Sequence, residues 1–214
     1  MPTPDVSGTA NLAEEIAAFS AAAAWAADLV ESIPAAAWDG PGLGGWDLRS
    51  LVGHTSRALL TVEQYLAVPA EIEEVDSAEG YYEMASRGTG ADPASVLQRG
   101  IDAGSALGAD PAAAFREIAG RVVGLLGDER ERLISTIAGG IRLSSYLPTR
   151  TFELVVHGLD ISRAAGLASP APEAPLRRSI DLAVSLAARA GAGSRLLLAL
   201  TGRDALGPGF SVLG

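Results

Sequence analysis

Residues Thr149 to Asp160 read TRTFELVVHGLD, and within this run Arg150, Glu153, His157 and Asp160 follow one another at steps of three and four. Steps of three and four place side chains on one face of an α-helix, so the segment is read as a helix with a polar stripe between apolar flanks. Pro148 and Thr149 open this helix in the reading, and Gly166 caps its end. Glu153 and His157, four apart, project about 40° from each other around the helix axis and can reach a single ion. A polar stripe on an otherwise apolar helix has to face something polar.

The only other histidine of the chain is His54. It lies in the run Trp46–His54, WDLRSLVGH, which opens a helix predicted to extend to about Val68, with Asp47 as N-cap or first-turn acid and Pro69 just beyond the end. Leu48, Leu51, Val52, Thr55, Leu59, Val62 and Leu66 form its apolar face. Helical bundles commonly assemble metal sites from facing helices. His54, Glu153 and His157 then make two imidazoles and one carboxylate, the three-ligand pattern of a catalytic zinc site with one position open. Arg150 either receives a carboxylate of a bound molecule through its planar fork or pairs with Glu153. Asp160 either orients a ligating imidazole or contacts a ligand, or it forms a surface ion pair with Arg163.

Working outward, residues 11–33 read as a long helix stopped by Pro34. Asp92-Pro93 and Asp110-Pro111 each pair an N-cap with a proline at the first helical position, predicting helices over 93–107 and 111–126. The acidic run Glu71–Glu79 reads as a solvated loop or helix start, and Gly139-Gly140 as a turn. After Ser169-Pro170-Ala171-Pro172, a helix near 174–190 precedes Arg195–Thr201 (RLLLALT), read as a buried strand, and Phe210–Leu213 as a second strand. The expected fold is mainly α: a four-helix bundle over residues 1–168, with a small C-terminal helix-plus-strand appendage over 169–214. Such a tail cannot bury a core of its own, so it is expected to pack on the bundle or across a homodimer interface.

Composition removes whole classes of function. The chain has 214 residues, enough to bury a core unaided, and no cysteine, which excludes disulfides, thiolate metal sites and a cysteine nucleophile. Its formal charge of −10 disfavours nucleic-acid binding. All sixteen basic residues are arginine, so Schiff-base and P-loop lysine chemistry are absent. The longest uncharged apolar stretch, Ile16–Ala27, is too short to span a bilayer. The first residues carry no positive region followed by an apolar one. The expectation is a cytoplasmic protein with neither nucleic-acid nor membrane partners.

WDLRSLVGH over Trp46–His54, followed by TRTFELVVHGLD over Thr149–Asp160, resembles the mycothiol-dependent maleylpyruvate isomerase family of the DinB-like superfamily. The resemblance covers roughly residues 8–168. It implies a DinB-like four-helix bundle carrying a divalent metal on a histidine of the second helix and an E-x-x-x-H pair of the last, which here are His54, Glu153 and His157. The tail ALTGRDALGPGFSVL also resembles the ending of family members, yet it is shorter than the C-terminal domain of the isomerase itself. What carries over is therefore metal and thiol chemistry rather than a particular substrate. The implied function is a metal-dependent transferase or isomerase in which zinc or a similar ion activates mycothiol, as thiol cosubstrate, toward a small electrophile. A metal- or ligand-binding sensor that keeps the bundle without chemistry is the alternative, and hydrolysis by metal-activated water ranks last, because no H-E-x-x-H arrangement supplies the usual base.

Overall fold

The computed structural model describes residues 6–86 and 92–213. Among them lie eight α-helices and one β-hairpin: α1 (Val6–Glu31), α2 (Leu48–Leu66), α3 (Ala78–Ala85), α4 (Pro93–Ala106), α5 (Pro111–Leu126), β1 (Leu133–Thr136), β2 (Gly139–Arg142), α6 (Leu143–Ala164), α7 (Glu173–Arg189) and α8 (Gly193–Leu200). No helix among the described residues is long and apolar enough to cross a membrane.

Helix starts follow local chemistry. The Asp47 carboxylate accepts from Ser50 N, Asp92 from Ala94 N and Ser95 N, and Asp110 from Ala113 N. Each satisfies amide donors that the first helical turn leaves without a partner. The helix bearing Glu153 and His157 begins earlier than its sequence signal, at Leu143, so Pro148 lies inside it. An internal proline costs about 3 kcal/mol. Leu143, Tyr146 and Leu147 in the extra turns are fully buried, and at about 1.5–3 kcal/mol for each such side chain their burial outweighs that cost.

Four long helices close a bundle in which α1 and α2 each pack on both α5 and α6. Phe19, Leu29, Leu51, Leu59, Phe115, Leu126, Leu147 and Leu154 fill its interior. The fifth strong contact is α4 against α2, and it is made backbone to backbone. A Cβ added at Gly53 of α2 would lie 2.1 Å from the Gly104 amide nitrogen of α4, a separation that only glycine permits. This brings α4 against the side of α2 that carries His54.

The acidic run Glu71–Glu79 is largely exposed but not featureless. Glu74 N and Val75 N donate to Gly140 O, and Val75 is buried. The chain then enters α3, capped by Ser77. Gly139 and Gly140, expected as a turn, are instead the first residues of β2. The turn is Ile137-Ala138, flanked by the Thr136↔Gly139 pair of an antiparallel ladder.

The C-terminal segment corrects one expectation outright. Arg195–Leu200 is helical, within α8, and Phe210–Leu213 forms no strand. Leucine, alanine and arginine are strong helix formers and the run has no β-branched residue before Thr201. No neighbouring strand among the described residues pairs with it, and Leu197 and Leu200 are 63% and 71% exposed, so the run is not buried either. α7 lies on α6 and α1 and also touches α3, burying Leu182 and Leu186 with Ala78 and Phe152.

Candidate metal centre

His54 projects from α2, and Glu153 and His157 from α6. One ligand-type atom from each of the three lies within 4.8 Å of the other two. The His54 and His157 rings meet edge to face with centroids 4.9 Å apart. The bundle therefore brings together the three residues that spacing and the single remaining histidine singled out.

Each is held by a neighbour. Trp46 lies against His54, with ring centroids 4.5 Å apart, and its indole Nε1 donates to Leu97 O of α4 at 2.9 Å. His157 Nε2 is 3.2 Å from Glu153 Oε2, and its Nδ1 is 3.3 Å from Asp160 Oδ2. An Nδ1–H donated to Asp160 leaves Nε2 facing Glu153 and His54, the tautomer a metal-ligating imidazole needs. Of the two readings for Asp160, the geometry has it against His157, and no Arg163 pair is present among the described residues. Tyr82 of α3 donates its hydroxyl hydrogen to Glu153 Oε1 at 2.7 Å.

The electrostatics follow from this packing. Burial, aided by the charge on His157, pushes His54 down to about 4, so its ring is neutral. For His157 burial works the other way from its partners, and hydrogen bonds to Asp160 and Glu153 prevail, raising it to about 9. Burial would raise Glu153, yet the hydrogen bond from His157 and the charge of Arg150 bring it down to about 2. Burial and the adjacent Glu153 charge hold Tyr82 well above the usual phenol range, so it stays a donor.

Whether this set suits a metal can be tested on one atom. His54 Nδ1 is buried with no hydrogen-bond partner, although buried polar nitrogens are almost always paired. An imidazole with an unpaired buried nitrogen, in a cluster with a carboxylate and a second imidazole, fits a divalent cation well.

His54 and Glu153 open onto a cavity of about 1130 Å³ lined also by Arg57, Thr61, Tyr65, Tyr81, Tyr82 and Arg150, and by Ile137, Leu186, Arg189 and Leu213. The α3 tyrosines and the C-terminal residues on this wall escaped the sequence reading. One signal pointed to the tyrosines: the chain has only four, of which three line the cavity and the fourth, Tyr146, packs edge to face on two of them.

No curated protein and no solved structure matches the chain. Residues 19–162, from within α1 to within α6, match the family described as Mycothiol maleylpyruvate isomerase N-terminal domain. That span, about two thirds of the chain, includes His54, Glu153 and His157 and ends before α7. A mainly helical bundle with its paired motifs on α2 and α6 and a match over most of its length make the chain a member of the mycothiol maleylpyruvate isomerase N-terminal domain family, within the DinB-like superfamily.

Proposed function

We propose that the protein is a metal-dependent enzyme that uses a low-molecular-weight thiol, mycothiol or one like it, for transfer to or isomerisation of a small electrophile. The observation that carries this reading is the cluster of His54, Glu153 and His157, of which His54 and Glu153 line a cavity large enough for two small molecules. Family membership supports the thiol.

These three residues would hold the ion, with zinc the divalent cation that two imidazoles and one carboxylate suit. Its chemistry, when bound, is to lower the pKa of a thiol so that sulfur is nucleophilic at neutral pH. Three protein ligands leave room for an external one, and a chain without cysteine has to take its sulfur from solution. That dependence suits a reducing compartment such as the cytoplasm.

The chain's own residues perform the rest. Asp160 fixes the His157 ring, and Tyr82 fixes the Glu153 carboxylate through its second oxygen. Ala58, Val96, Leu186 and Val212 give the cavity an apolar lining that excludes water from the reacting atoms. On this reading α7 and the residues beyond it act as a cover over the bundle rather than as an independent domain. A sensor without chemistry would be better served by bulky side chains filling the space above the triad, and the cavity there is open.

Cobalt-substituted protein tests the thiol role, because its visible spectrum responds to a change in ligand. Addition of mycothiol is expected to shift the spectrum in wild type. A spectrum unchanged at saturating thiol contradicts the proposal.

A further inference from the structure

Two members of the triad are oriented by hydrogen bonds from outside it, His157 by Asp160 and Glu153 by Tyr82. His54 differs. Its Nδ1 is buried without a hydrogen-bond partner, so no acceptor at that nitrogen sets the plane of the ring, as Asp160 does at Nδ1 of His157. The χ2 torsion of a histidine has only broad preferences of its own. What faces the ring instead is aromatic.

The His54 side chain leans back toward the start of α2, as helical side chains do, and meets Trp46, eight residues earlier. The two rings lie 4.5 Å apart at 31°, a tilted stack, whereas the His157 ring stands edge-on to His54 at 85°. Turning the imidazole about χ2 would swing its edge into the indole.

Trp46 has little freedom to give way. It is buried, and its backbone is tied into the connection before α2, with Trp46 N donating to Leu43 O and Gly42 N to Trp46 O. The indole Nε1 donates to Leu97 O of α4. Gly100, three residues farther along α4, makes room for the ring, because a Cβ there would lie 2.4 Å from Trp46 Cε2 and Nε1. α4 packs chiefly on α2, so the same contact that seats α4 also fixes the indole.

We propose that Trp46 is the positioning residue for His54: clamped against α4 by Leu97 and Gly100, its indole holds the imidazole in the orientation the triad requires. Trp46 is not among the residues lining the cavity, so it acts through His54 rather than on a bound molecule. This deepens the proposed function by drawing α4 into its site, and it rests on that reading only for what the triad binds. The placement of the ring needs no metal.

The full-length protein is compared with Trp46→Leu, Trp46→Phe and Arg49→Gln. The last removes a different contact between α2 and α4, the hydrogen bond from Arg49 to Gly108 O, and controls for loosened packing. The first readout is metal-free. With two histidines in the chain, the carbon-bound imidazole protons of each are resolved by NMR, and wild type is expected to show sharp lines and a nuclear Overhauser contact between the two rings. Trp46→Leu is expected to lose that contact or to broaden the His54 lines by exchange. Trp46→Phe, which keeps an aromatic face without the N–H, is expected to weaken the contact, and Arg49→Gln to retain it.

The second readout is zinc affinity by chelator competition, with the visible spectrum of the cobalt form beside it. Trp46→Leu is expected to bind zinc about tenfold to hundredfold more weakly, the range for residues that orient a ligand, and to give an altered cobalt spectrum. Trp46→Phe falls between it and wild type, and Arg49→Gln matches wild type. Either readout unchanged in a folded Trp46→Leu would overturn the proposal, as would an equal loss in Arg49→Gln. If the leucine variant does not fold, wild-type behaviour of Trp46→Phe in both readouts would overturn it. Wild type that binds neither zinc nor cobalt would sink the metal reading, and the metal-free comparison would still decide the role of Trp46.

Discussion

The Tyr82 hydroxyl donates to Glu153 Oε1 at 2.7 Å, which ties the short helix α3 to the carboxylate of the candidate metal centre. Because the phenol stays protonated, it leaves Glu153 one oxygen turned toward His157 and fixes the carboxylate plane. The same helix contacts α7 through the Glu83–Arg189 ion pair. A residue outside the bundle thus sets the orientation of a group inside it.

Tyr82→Phe removes that donor with little change of shape. Metal affinity is expected to fall about tenfold to a hundredfold, the range for loss of a hydrogen bond to a ligating group, with the helical circular dichroism unchanged. Competition against a chromophoric chelator measures it, and equal affinity in the two proteins would remove Tyr82 from the site.

Proton release gives a second test. In metal-free protein His157 keeps its proton up to about pH 9, whereas His54 is neutral above about 4 and Glu153 ionised above about 2. A cation therefore competes with one proton. Binding at pH 7 is expected to release about one proton, and affinity to rise about tenfold per pH unit until it levels near pH 9. Calorimetry in buffers of different ionisation enthalpy counts the proton, and no release would mean that His157 is not a ligand. The same shift contributes stability to the metal-free fold. His157 is raised above its ordinary 6.5, so this contribution is complete below pH 6.5 and is lost as pH rises through 9.

Gly53→Ala probes the packing behind His54. The new Cβ would lie 2.1 Å from a backbone nitrogen of α4, and helix backbones cannot rotate away as a flexible side chain would. Overpacking of this kind costs roughly 1–3 kcal/mol. A lower midpoint in thermal or urea unfolding is expected, and an unchanged one would show that α4 is not seated on α2 as described.

The legible parts of this chain are those governed by local chemistry. Asp47, Asp92 and Asp110 announced their helices because an N-cap is a property of three or four consecutive residues. Glu153 and His157 announced a shared face because helical spacing alone fixes it. His54 had to be joined to them across more than ninety residues, and the scarcity of histidine together with the motif order made that step. Tyr82 had only the scarcity of tyrosine to mark it, with no motif and no helical spacing. Its helix has eight residues and begins only as the acidic run ends, and its meaning lies in a contact 71 residues away. Leu196–Leu200 misled for a related reason, since a short uncharged apolar run does not separate strand from helix by periodicity. The start of α6 was hidden by Pro148, whose breaking signal is overridden by the burial of Leu143, Tyr146 and Leu147.

Asp160→Ala leaves His157 without the acceptor on Nδ1. A tenfold or greater loss of metal affinity is expected, with rescue in Asp160→Asn, whose amide oxygen still accepts. If both variants bind metal as wild type does, Asp160 has no part in orienting the ring.

The most direct test of the central claim is the metal content of protein purified without a histidine tag, measured by inductively coupled plasma mass spectrometry beside His54→Ala and His157→Ala. About one divalent ion per chain in wild type, lost from both variants while their helical content stays the same, is the expected result, in line with a three-ligand site. Wild type that takes up no ion after incubation with zinc, or variants that retain it, would contradict a metal centre formed by His54, Glu153 and His157.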